Sequence, residues 1–92
     1  MSVPARHPGR VLQEEYLEPL GISAYDLARA IQVSEDSVHD LLSAQRQCSG
    51  DFALRLARAF QTPPQFWLGL QNHYDLDHAR RECGIDAIAV LV

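Results

Sequence analysis

Ninety-two residues suffice for one domain and leave no room for a second core. Hydrophobic residues make up 47% of the chain and charged ones 22%, an ordinary globular balance, and no apolar run approaches the roughly 20 residues of a membrane span. Eight arginines, no lysine and twelve acids leave a net charge of −4, which argues against a protein that grips nucleic acid by bulk positive charge.

The opening Met-Ser-Val-Pro-Ala-Arg-His has no apolar stretch after its charge, so no secretory signal is expected and the chain is placed in the cytoplasm. The punctuation then predicts five helices, an all-α single domain over 1–92. The first spans about 8–17. Pro8 suits an opening position, Val11, Leu12 and Tyr16 share a face, and Pro19 and Gly21 end the helix. The second spans 23–32, with Ser23 as cap and Leu27, Ala28 and Ile31 inward. The third spans 34–44, with Ser34 as cap, Glu35 and Asp36 against the positive end of the helix dipole, and Val38, Leu41 and Leu42 apolar.

The fourth helix is capped by Ser49 and runs to Phe60 on Ala53, Leu56, Ala57 and Phe60, while Arg55 and Arg58 lie off that stripe. The fifth is expected to start with Thr62 as cap and Pro63 in first position, and to reach Glu82 through Phe66, Trp67, Leu70 and Tyr74. Gly84 breaks the pattern. Ile85, Asp86, Ala87, Ile88, Ala89, Val90, Leu91 and Val92 then form a β-rich, nearly uncharged segment. A short strand over about 86–92 would leave backbone and apolar side chains bare, so it needs a cover. An antiparallel pairing with its symmetry mate supplies one, which makes this the expected dimerisation segment.

Residues 23–46 carry the functional signal. Two short capped helices are separated by one apolar residue, Val33, which can plug the angle of a helix-turn-helix. The second of them is then free to lead into a DNA major groove with its N-terminal residues. This stretch resembles the helix-turn-helix of lambda-repressor-like (XRE) regulators, including the Ser-x-x-Ser-Val opening at Ser34. Residues 7–21 and 53–60 are similar to HigA-type antitoxins of that family, and so is Pro-Gln-Phe-Trp-Leu-Gly-Leu-Gln-Asn-His-Tyr-Asp-Leu at 64–76.

The resemblance implies a five-helix repressor-like domain with two tasks. One is autorepression, as a homodimer on a palindromic operator. The other is binding and silencing a HigB-type toxin, a RelE-superfamily ribonuclease that cuts mRNA. On this reading the DNA-binding residues are Ser23, Ser34, Glu35, Asp36, Ser37, His39, Asp40, Ser43 and Arg46.

The chain departs from the family where DNA contact is expected. Ala24 stands where a phosphate-touching Gln is frequent, and acids occupy the reading helix. Over 23–47, Asp26, Glu35, Asp36 and Asp40 face only Arg29 and Arg46. A carboxylate repels phosphate but accepts from cytosine N4, and Ser and His bond several base edges. Weak operator binding by the free protein follows, with a basic toxin adding the missing field. The alternative is a protein-interaction module whose helix-turn-helix no longer reads DNA.

No catalytic nucleophile–base–orienter set can be assembled, so no enzyme activity is expected. Cofactors are not called for. His73 and His78 fall on different faces, and His78 and Glu82 lack a third ligand, so no metal site is expected. Cys48 and Cys83 are read as free thiols, Cys48 in a pre-helical position where a thiol pKa can fall.

Overall fold

Pro8 opens the first helix, where its missing N–H has no partner to lose. The computed structural model describes residues 5–92. In it α1 is one continuous helix with a change of pitch: α-helical Pro8–Leu12, π-helical Gln13–Leu17 and α-helical Glu18–Leu20. Leu12 and Leu17 are both buried although they are five residues apart, a separation that the i→i+5 pitch of a π turn brings onto one face. Pro19 was expected to end this helix and does not. The widened turn ahead of it relieves the clash of its ring with the preceding turn, and the helix stops, as the other half of that expectation had it, at left-handed Gly21 (φ 66°).

The other helices are α2 (Ala24–Ile31), α3 (Glu35–Leu42), α4 (Gly50–Phe60) and α5 (Pro64–Glu82). Ser23, Ser34 and Ser49 cap α2, α3 and α4, each hydroxyl accepting a backbone N–H three residues on. α3 ends two residues earlier than expected, because Ala44 turns left-handed (φ 60°). The expected Thr62 cap of α5 is also corrected. Pro63 holds the cap position, Pro64 opens the helix, and the Thr62 hydroxyl accepts from Trp67 Nε1 at 2.8 Å instead. A buried indole N–H demands such a partner.

One core joins the five helices. Leu12, Leu17, Leu27, Val38, Leu41, Leu56 and Trp67 form its centre. Tyr16 packs on Phe60 and Trp67 with ring centroids 4.9 and 5.2 Å away, so the aromatics of α5 fasten it to α1 and α4. Gly9 brings α1 against the end of α3 so closely that a Cβ there would lie 1.9 Å from the Leu41 carbonyl oxygen. Beyond Tyr74 nothing on α5 is buried.

The expected strand is absent among the described residues. Ile85–Ala87 form a 3₁₀ turn instead, with Ala87 N–H on the Gly84 carbonyl and Ile88 N–H on the Ile85 carbonyl, both at 3.0 Å. A strand requires a neighbour for its ladder, and a single chain offers none here. Local turn bonds satisfy the first residues, while Val90, Leu91 and Val92 stay about nine-tenths exposed or more.

Candidate nucleic-acid interface

Gln32 and Val33 make the turn between α2 and α3. Gln32 is left-handed (φ 61°) and exposed, while Val33 is half-buried against the core and wedges the two helices apart. Val38 and Leu41 anchor α3 from beneath, fully buried. Ser34, Glu35, Asp36, His39, Asp40 and Ser43 are all exposed, so the outer face of α3 projects into solvent. Its leading residues are therefore accessible to a duplex.

Several side chains expected to read bases are already engaged. Ser34 Oγ accepts the Ser37 N–H at 3.1 Å and lies 2.7 Å from Ser37 Oγ, so both hydroxyls belong to the cap and Ser37 is half-buried. Ser23 Oγ accepts the Asp26 N–H at 3.0 Å. His39 Nε2 lies 3.0 Å from Glu35 Oε2, one turn apart along α3. Ser43 Oγ donates to the His39 carbonyl at 2.9 Å. Asp36 and Asp40 are exposed and pair with no cation among the described residues, which leaves them as the open acceptors of this face.

Arg46 is exposed in the loop after α3, with its guanidinium 5.7 Å from the Phe52 ring centroid. That loop is held from inside. Gln71, buried on α5, accepts the Cys48 N–H at 2.7 Å and donates to Asp75 at 2.9 Å. His7 is also buried. Its Nδ1 accepts the Gly9 N–H at 3.0 Å, and its ring stands edge-on to Tyr74. The Cys48 thiol is not activated by its pre-helical position. Burial pushes its pKa up to about 11, because the thiolate would lose its solvation.

Burial likewise lowers the pKa of His7, against opposing contributions from the Arg46 backbone and Asp75. The unfolded chain therefore takes up this proton first, near pH 6.5. The neutral ring's stabilisation is complete above that pH and is lost as pH falls from there to the lowered folded value. Urea unfolding at pH 7.5 and 5.5 should show a larger loss for the native chain than for His7→Gln. Equal losses would exclude His7 as the source.

Sequence reasoning missed four contributing residues. Tyr25 in the first turn of α2 and Arg29 in its last join along one face, the guanidinium 5.7 Å from the ring centroid and Nη1 3.1 Å from the hydroxyl, and both are exposed. Their i, i+4 spacing was the available signal. Gln71 and Arg55 bond backbone more than 20 residues away, a tertiary contact without local signature. The residues expected to dimerise, Ile85 to Val92, follow the end of α5 and are all exposed, as is Leu76 on that helix.

Among the described residues, no group of three or more His, Cys, Asp or Glu side chains is placed to hold a metal ion, and no helix is long and apolar enough to cross a membrane. A helix-turn-helix domain family matches residues 10–66. Virulence-associated protein I of Dichelobacter nodosus is 45% identical over 81 residues, covering 88% of this chain and 75% of that protein. The solved Pseudomonas aeruginosa antitoxin HigA with the higBA promoter superposes with a TM-score of 0.89 at 41% identity, covering 96% of this chain and 99% of that one. The antitoxin GraA in complex with its operator superposes with a TM-score of 0.90 at 38% identity, covering 100% and 96%.

Proposed function

We propose, because this chain belongs to the helix-turn-helix family of HigA-type antitoxins, that it is the antitoxin of a HigB/HigA-type pair. It represses its own operon from a palindromic operator and neutralises a RelE-superfamily, mRNA-cleaving toxin in the cytoplasm. It acts by binding and not as an enzyme. The observation that carries this reading is the outward face of α3, exposed at Ser34, Glu35, Asp36, His39, Asp40 and Ser43 and anchored beneath by Val38 and Leu41. Two solved relatives, HigA and GraA, are named with promoter or operator DNA.

In this reading α3 enters the major groove, and Asp36, His39 and Asp40 face base edges. Arg46, the exposed Tyr25–Arg29 pair and the N-terminal N–H groups of α2 and α3 hold the phosphates. Asp36 and Asp40 on α3 keep the free antitoxin's grip weak, since each faces a polyanion with no cation paired to it among the described residues. A basic toxin bound alongside supplies positive field. A second reading, a helix-turn-helix that no longer binds DNA, is favoured by those same acids.

Operator titration with and without toxin, at two salt concentrations, separates them. The expected result is weak binding by the antitoxin alone and tighter, salt-dependent binding by the complex. A complex that ignores the operator leaves only the interaction module. Tight, steeply salt-dependent binding by the free antitoxin would refute the role given to the acids.

The homodimer is proposed to form through Ile85 to Val92, pairing as a two-stranded antiparallel ribbon. The exposed Ile85, Ile88, Val90, Leu91 and Val92 support it, since such an apolar run needs a cover. Two α3 helices about 34–36 Å apart would then meet successive major grooves on one face of the DNA.

A further inference from the structure

We propose that Arg55 is a positioning residue for DNA recognition, locking the angle between α2 and α3 without touching DNA. The inference rests on the operator-binding reading above. Only Gln32, Val33 and the capping Ser34 join the two helices, and Gln32 is held in the left-handed region, uncommon for a residue with a side chain. Arg55 reaches this turn from α4. Its Nη1 donates to the Ile31 carbonyl at 2.7 Å and to the Gln32 carbonyl at 3.2 Å. Its Nε donates to Asp51 Oδ2 at 2.9 Å, one turn earlier on the same helix.

Those carbonyls are at the end of α2, where no intrahelical N–H remains to serve them. A cation there also complements the negative end of the α2 dipole. The guanidinium is a rigid fork, so fixing one edge on Asp51 fixes where the other edge holds the turn. The tie therefore connects α4 to the one joint about which α3 can swing. Recognition needs the phosphate anchors of α2 and the base-reading face of α3 in register together. A hinge loosened at Gln32 and Val33 spoils that register while leaving the core of Leu27, Val38 and Leu41 packed.

The test uses the full chain, a duplex from upstream of its own gene, and a scrambled duplex of the same length and composition. Anisotropy is read at two salt concentrations, with and without toxin, at a temperature where circular dichroism shows every variant folded. Arg55→Met is expected to lower operator affinity about tenfold, the scale of one or two lost hydrogen bonds. Scrambled-duplex affinity should fall no further than in Arg58→Met, which removes the same charge from an exposed site on α4. The salt slope should not change, and Arg55→Lys should recover part of the loss.

Unchanged operator affinity overturns the proposal. So does an equal loss on both duplexes with a salt slope smaller by about one, the signature of a phosphate contact. An equal loss in Arg58→Met overturns it too, since charge alone would then explain the effect. If Arg55→Met does not fold, Arg55→Lys carries the comparison: loss on the operator alone supports the role, and equal loss on both duplexes overturns it. A native chain that binds no operator, with or without toxin, overturns the operator reading itself and the Arg55 role with it.

Discussion

Gly9→Ala is expected to destabilise the fold by about 2–3 kcal/mol, the range of a forced overpacking. The added Cβ would meet the Leu41 carbonyl oxygen at 1.9 Å and its carbon at 2.6 Å. Both are backbone atoms at the end of α3, so no side chain can step aside. Relief requires α1 to move off α3, which opens the packing around Leu12 and Leu41. The gain from a less flexible unfolded chain, about 0.4–1 kcal/mol, offsets only part of this. Thermal unfolding should shift down by roughly 10–20 °C for a domain of this size. Gly69→Ala provides the opposite sign. Gly69 lies within α5 with nothing near its missing Cβ, and alanine there should stabilise by about 0.5–1 kcal/mol. A Gly9→Ala melting temperature equal to the native one would contradict the close α1–α3 contact.

Truncation after Gly84 is expected to convert a dimer into a folded monomer and to cost operator affinity by about 10²–10⁴. No residue from Ile85 to Val92 is buried, so the core does not depend on them. In the proposed dimer they supply the link between two reading heads. Without it the second half-site contact ceases to be intramolecular, and each head binds alone. Light scattering reads the mass and anisotropy reads the affinity. A truncated chain that stays dimeric would remove the segment from the interface and move attention to the exposed end of α5 around Leu76.

The helix order, the serine caps and the wedge at Val33 were legible because they are local. A cap hydroxyl bonds its own helix, and an inward stripe repeats within one element. The outward placement of α3 followed from Val38 and Leu41 lying on one side of it. What escaped was whatever departs from regular helix geometry or depends on a partner outside the element. Pro19 reads as a stop until the π turn before it is seen. Thr62 reads as a cap until Trp67 claims its hydroxyl. Arg55 reads as a surface charge until the end of α2 lies beside it, and Gln71 likewise reveals its hold on Cys48 only in three dimensions. The strand over 86–92 failed in the single chain for the same reason, since half of any ribbon would come from elsewhere.

Backbone amide shifts of the labelled protein, followed by NMR as operator duplex is added with toxin present, test most directly whether α3 is the DNA-reading surface. Contact through α3 moves the signals of Ser34 to Ser43, of Arg46 and of the first turn of α2, leaving the far end of α5 unmoved. Shifts confined to α5, with α3 silent at saturating DNA, would contradict it.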